Sequence, residues 1–220
     1  MSFIKNSGFI FFILVLAVIF AGCTKEKTPE EKMYTVLEKV VTAEKVFEEQ
    51  QNPLFELEKK EKAIYDQIIE LGMKEYDQIV KLSDEALLLA DQRKELMDKE
   101  TNSIKLSEKE FSKAEKIKDK FEDPSLTKLA NEMYKTMMKR YEAHEELFTE
   151  YNEALKNDKA LYEMFKNKNL PLDDLEAQVN KLNETYKRIS NANEKFNMLT
   201  EQYNDKKLSF YKQAGLNSSN

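Results

Sequence analysis

Tryptophan is absent from the 220 residues, and cysteine and histidine occur once each. A single thiol excludes an intramolecular disulfide and a thiolate metal cage. Glycine and proline number four each, fewer than a turn-rich domain carries. With so much Lys, Glu, Leu and Asn beside them, this scarcity points to long helices joined by few connections. Positive charge is not in excess either: 41 acidic side chains face 35 basic ones. Residues 1–22 contain one Lys and no acid, so removing them leaves 34 basic residues and a net charge of −7. Such a surface lacks the basic stripe that nucleic acid needs, and no nucleic-acid partner is expected. The hydrophobic share, 41%, is too high for a disordered chain and enough for one core.

The one long apolar run is at the start. Met1–Lys5 is a short, positively charged opening, and Phe9–Phe20 is twelve apolar residues in a row. That length suits the core of a signal peptide and is short of the ~20 residues of a membrane-spanning helix. Ala21, Gly22 and Cys23 follow. Two small residues before the only thiol resemble a bacterial lipobox, although Phe20 stands where an aliphatic residue is usual. The resemblance implies cleavage between Gly22 and Cys23 and lipidation at Cys23. Two or more acyl chains, at ~0.8 kcal/mol per buried methylene, would anchor the chain to a membrane. Residues 1–22 thus read as a leader, 23–27 as a lipidated tether, 28–214 as a helical domain and 215–220 as a disordered tail.

From Thr28 onward the pattern is helical. Thr28 is an N-cap, Pro29 suits the first helical position, and Glu31 completes a capping box. One heptad row runs Met33, Val40, Phe47, Leu54, Glu61, Ile68, and a second runs Val36, Ala43, Gln50, Leu57, Ile64, Leu71. Their phase does not slip at Pro53, so Pro53 reads as a kink within one helix. It does slip at Leu71-Gly72-Met73, where a turn with Gly72 as C-cap is expected. A helix continuing through Gly72, giving a three-helix bundle, is the alternative. Asp123-Pro124 marks the next start, and Asn167–Pro171 the last turn. Segments of about 28–71, 73–122, 124–168 and 171–214 are similar in length, about 65–75 Å at ~1.5 Å per residue. Short links then predict an all-α, antiparallel, up-and-down four-helix bundle with coiled-coil-like, left-handed packing.

Chemistry-bearing patterns are scarce. His144 has no second His four residues on, where Phe148 stands, and Tyr141 occupies the place of the Glu that a di-iron helix needs. It reads as a partly buried spacer on the third helix. No Ser or Thr sits in an elbow motif, and the isolated glycines cannot cradle a phosphate. No catalytic residue, metal ligand or cofactor is therefore expected. Most aromatics, including Phe47, Phe111, Tyr151, Phe196, Tyr203 and Phe210, fall on the seams and read as core. Phe55, Tyr65 and Tyr162 lie off the seams and are candidates for surface contact. Gln50, Glu61, Arg93, Glu100 and Ser107 put polar groups where the seam should be apolar. Buried charges are costly unless paired. Either Glu61, Arg93 and Glu100 meet across the bundle, or the bundle opens there and presents a groove.

The segments Thr28-Pro-Glu-Glu-Lys-Met-Tyr-Thr-Val-Leu-Glu-Lys-Val-Val41, Phe47-Glu-Glu-Gln-Gln-Asn-Pro-Leu54, Glu56-Leu-Glu-Lys-Lys-Glu61, Leu71-Gly-Met-Lys-Glu75 and Leu82-Ser-Asp-Glu-Ala86 resemble the YkyA-type cell-wall-binding lipoproteins of Gram-positive bacteria. The resemblance runs over nearly the whole chain. It implies an all-helical fold, a lipid anchor and a place on the extracytoplasmic face of the membrane. It brings no catalytic residues. The function expected is non-enzymatic binding of a cell-wall polymer or an envelope protein through the bundle surface. A chaperone-like or structural module holding hydrophobic protein segments is the alternative. The acidic mature chain disfavours simple electrostatic attraction to anionic wall polymers.

Overall fold

A computed structural model describes residues 26–71 and 75–216. The leader, the cleavage and lipidation positions Gly22 and Cys23, the tether up to residue 25, Gly72 with its expected turn, and residues 217–220 lie outside them. The described residues are mostly helical, with no strand among them. Five α-helices follow one another: α1 Pro29–Ala43, α2 Lys45–Glu70, α3 Tyr76–Phe111, α4 Pro124–Phe165 and α5 Leu172–Gln213.

Helix starts follow the local chemistry. The Thr28 hydroxyl accepts from the Glu31 amide at 3.3 Å, and the Glu31 carboxylate accepts from the Thr28 amide at 3.0 Å, so both halves of the capping box are formed. Asp123 caps α4 by accepting from the Ser125 amide at 2.8 Å, with Pro124 in the first turn.

The first helix departs from expectation. The chain stays helical through Pro53, but it is interrupted earlier, at Glu44, where α1 ends and α2 begins. The cause comes from α3. The Ser103 hydroxyl donates to the Ala43 carbonyl at 2.6 Å and accepts from the Phe47 amide at 3.0 Å. It thereby takes the place of one i→i−4 backbone bond, a recognised origin of helix kinks. The heptads hold their phase across Glu44 because only one rung is replaced.

The bundle is antiparallel. Along α4 the residues Glu132, Glu146 and Glu150 pair in turn with Lys206, Lys195 and Arg188 of α5, numbers rising on one helix as they fall on the other. Glu44, Phe47, Gln51 and Glu61 meet Ser107, Ser103, Glu100 and Arg93 of α3 in the same reversed order. α3 and α4 repeat it through Asp84–Lys166 and Arg93–Asp158. α1 and α2 therefore form one course along α3. Because α2 runs antiparallel to α3, one helix continuing through residue 72 is excluded, and with it the three-helix alternative.

α3 also ends sooner than its stripe suggests. After Phe111 a 3₁₀ turn spans Ser112–Lys116, and the segment to Asp123 is not helical. This segment folds Phe121 inward against Phe210, ring centres 5.4 Å apart, and closes that end of the core. At the C-terminus, Gly215 adopts φ 65° and the Leu216 amide reaches back to the Tyr211 carbonyl at 3.0 Å. Leu216 packs against the core cluster of α1, α3, α4 and α5. The tail expected to be disordered from residue 215 is thus held at its first two positions by a glycine cap.

Candidate functional site

Apolar residues fill the end of the bundle where α1 lies. Met33, Leu37, Phe111, Met133, Met137 and Phe210 are fully buried together. Moving toward the other end, polar layers enter the core. In the first, both guanidinium nitrogens Nη1 and Nη2 of Arg140 donate to Glu44 at 2.9 Å, and Nε donates to the Thr200 hydroxyl at 2.8 Å. Ser107 donates to Glu44 at 2.6 Å and lies 2.7 Å from the Tyr141 hydroxyl. One carboxylate meets one guanidinium, and the layer is closed. Next to it, His144 Nε2 lies 3.2 Å from Glu100, which also accepts from Gln51 at 2.8 Å. The imidazole sits edge-on to Phe47 and Phe196. His144 is a fully buried core residue, deeper than the partly buried spacer its sequence position suggested.

The third layer differs. Arg93, 1% exposed, sends Nη1 to Glu61 at 2.6 Å and to Asp158 at 3.0 Å, and Nε to the Tyr151 hydroxyl at 2.8 Å. The guanidinium also lies over the Tyr151 ring, 5.0 Å from its centre. Tyr186 donates to Asp158 at 2.8 Å, and Tyr151 donates to Glu58 at 2.7 Å. Three carboxylates thus surround one guanidinium. Burial raises the Glu61 carboxyl to about 7; Arg93 pulls it down, and Asp158 pushes it up again. Burial likewise raises Asp158, against the pull of the same guanidinium. The phenols of Tyr151, Tyr162 and Tyr186 are pushed up by burial as well, so they remain protonated donors. Glu61 and Arg93 meet, as one sequence alternative had it, but Glu100 belongs to the neighbouring layer.

This layer is also where the bundle opens. α2 packs on α3, α3 on α4 and α4 on α5; α5 meets α2 through Phe196 and Phe47, ring centres 5.7 Å apart, but stands apart from it beside the Arg93 layer. Its N-terminal half is held mainly by α4. Gln178 donates to the Asn157 carbonyl at 2.8 Å, Asn157 to Thr185 at 3.1 Å, and Arg188 to Glu150 at 2.7 Å. No residue of α5 before Thr185 is buried, although Leu175, Val179, Leu182 and Ile189 keep the heptad going. The result is a half-open cleft of about 460 Å³, within the range of small-ligand sites. Glu58, Glu61, Lys62 and Tyr65 of α2 form one wall, and Val179, Leu182, Asn183, Tyr186 and Ile189 of α5 the other. Arg93, Tyr151, Asp158, Leu161 and Tyr162 make the floor. Pairing and groove, which the sequence left as alternatives, occur at the same place.

Of the off-seam aromatics, Tyr65 lines the cleft wall and Tyr162 its floor, whereas Phe55 points to solvent, 60% exposed, away from the cleft. Sequence reasoning missed Asp158 and Tyr186. Asp158 was visible in principle: it lies four residues after Ala154 and three before Leu161, on the apolar stripe of α4. Tyr186 flanks the Leu182–Ile189 row and carried no such mark. Among the described residues, no group of three or more His, Cys, Asp or Glu side chains is placed to hold a metal ion. Nor is any described helix long and apolar enough to cross a membrane.

The fold and its cleft can be set beside known proteins. The YkyA family, described as "Putative cell-wall binding lipoprotein", matches residues 28–213, nearly the whole bundle. The chain is 36% identical over 200 residues to a Bacillus subtilis protein named "Uncharacterized lipoprotein YkyA", covering 91% of this chain and 89% of that one. A crystal structure of a conserved protein of unknown function from Staphylococcus aureus superposes with a TM-score of 0.64, covering 84% of this chain and 97% of that one, at 16% identity. At that identity the likeness speaks for the helical fold alone.

Proposed function

The chain belongs to the YkyA family of lipoproteins, and from that membership we propose that it is a lipid-anchored, non-enzymatic binding module of the cell envelope that engages wall material through the α2–α5 cleft. The anchor is the lipidated Cys23, and the bundle stands on the extracytoplasmic face of the membrane. The observation that carries the reading is the cleft itself. A bundle with a continuous heptad on α5 could have closed, yet it leaves Tyr65, Tyr186 and the Glu58 carboxylate accessible from one side. Binding is favoured over catalysis by the state of the acids. Glu61 and Asp158 are both committed to Arg93 and buried, so neither is free to reach a bond lying in the cleft.

Two measurements test this. The full-length protein in detergent is mixed with purified wall sacculi, with and without their anionic polymers, and sedimented. Retention on either preparation is expected, and loss of both would remove the wall-binding claim. In cells, the Cys23→Ser variant is expected to leave the membrane fraction. If it stays there with its leader removed, lipidation at Cys23 is not the anchor.

A further inference from the structure

We propose that the α2–α5 cleft takes an uncharged saccharide chain rich in hydroxyl and amide groups, and rejects phosphate-bearing polymers. This rests on the wall-binding reading above and names the ligand class for it.

The buried cation of the cleft is already used. Arg93 spends Nε on Tyr151, Nη1 on Glu61 and Asp158, and turns Nη1 and Nη2 toward Tyr186 at 3.4 Å. Lys62, on the α2 wall, is paired with Asp66 at 2.6 Å. Lys62 is exposed at the rim, and against it and Arg93 the lining sets the carboxyl groups of Glu58, Glu61 and Asp158, so the cleft has no surplus of positive charge to hold an anion. A polyanion would meet buried carboxyl groups and a guanidinium that is already paired, in a place where charges are weakly screened.

What the cleft offers instead is acceptors and aromatic surface. The Glu58 carboxylate and the Asn183 amide lie on opposite walls and can accept from hydroxyl and amide donors. Tyr65 on α2 and Tyr186 on α5 add aromatic side chains beside them, and Tyr186 is 38% exposed. An aromatic face with a polar tip suits a ligand whose ring is apolar on one side and hydroxylated at its edge. The opening runs between two rods and not into a closed pocket, so a chain can lie along it.

The test uses the full-length protein in detergent, titrated calorimetrically with tetra-N-acetylchitotetraose and, separately, with poly(glycerol phosphate) of similar length. The expected result is saturable binding of the saccharide and no binding heat from the phosphate polymer. Tyr65→Ala and Asn183→Ala, one on each wall, should each weaken saccharide binding about tenfold or more, close to 1.4 kcal/mol. Phe55→Ala, an exposed aromatic on the same helix as Tyr65 but outside the cleft, should bind as the unaltered protein does. Helical circular dichroism checks that each variant is folded. Asn183 is exposed, so its variant keeps the test valid if Tyr65→Ala unfolds. Tighter binding of the phosphate polymer, or saccharide binding unaffected by both wall substitutions, would overturn the assignment. If sacculi retain the protein but the saccharide does not bind, the ligand class is wrong and the wall-binding reading stands. If sacculi do not retain it either, both fall together.

Discussion

Replacing Glu61 by glutamine sets two expectations for a buried ion pair against each other. If Glu61 were simply the partner of Arg93, its loss would strand a buried guanidinium and cost about 3–5 kcal/mol. But Asp158 binds the same guanidinium nitrogen as Glu61, at 3.0 Å against 2.6 Å. Without Glu61, one carboxylate still faces one guanidinium inside the layer. Burial, with Asp158 adding to it, raises the Glu61 carboxyl from 4.5 to about 7 in spite of Arg93. A carboxyl raised in this way favours folding fully below its unfolded pKa and loses that contribution as pH climbs through its folded one. At about 1.4 kcal/mol per unit, the gap corresponds to about 3 kcal/mol lost between pH ~4.5 and pH ~7. For a bundle of this size each kcal/mol moves Tm by about 2–4 °C, so the expected fall is about 6–12 °C. Thermal melts followed by circular dichroism, from about pH 5 to about pH 8 at fixed ionic strength, read it directly. The unaltered protein should lose Tm across that window, and E61Q should stay nearly flat. The two should coincide near pH 5, with E61Q the more stable near pH 8. A flat profile for the unaltered protein, with E61Q several kcal/mol less stable near pH 8, would show an ordinary paired carboxylate and refute the reasoning.

The balanced layer should behave in the opposite way. Arg140→Leu removes both bonds to Glu44 and the bond to Thr200, and urea denaturation should show a loss of about 3–5 kcal/mol. Ser103→Ala deletes the hydroxyl that bridges Ala43 and Phe47. Two backbone groups then lose their partner, a loss of about 1–3 kcal/mol in the same assay. Pro53 is exposed and lies inside α2, where proline lacks the amide that a helix uses. Pro53→Ala should therefore raise Tm, by up to about 3 kcal/mol in stability, and a fall would mean that α2 needs its proline.

The parts of the fold that could be read in advance are those governed by local rules. The capping box at Thr28, the cap at Asp123 and the four amphipathic stripes all depend on residues within a few positions of one another, and all appear. The break at Glu44 could not be read from α1 or α2. Its cause is a serine fifty-six or more residues away, and Ser103 looks like any other helical serine until α3 is laid against Ala43 and Phe47. The early end of α3 has the same character, since Phe121 is drawn from the helical course by the ring of Phe210. The cleft was half visible. Glu61 and Arg93 broke the apolar pattern and marked the layer, whereas Asp158, Glu58 and Tyr186 join it only through the antiparallel register.

Charge stoichiometry differs between the Glu44–Arg140 layer, which closes, and the Arg93 layer, which opens. Around Glu44 and Arg140 one positive group meets one negative group, so packing α5 over them leaves no net charge in low dielectric, and Phe196 and Thr200 of α5 cover the guanidinium. Around Arg93 the carboxylates outnumber the guanidinium. Closing α5 there would bury a surplus negative charge against Leu182 and Ile189, neither of which can donate a hydrogen bond. Tyr186 is the donor that α5 does supply, and it stands at the cleft edge on Asp158. The surplus carboxylate keeps access to water, and the groove follows from that requirement. By this account the apolar row Leu175–Leu182–Ile189, with a heptad as regular as the rest of α5, stays half-buried because of what lies beneath it.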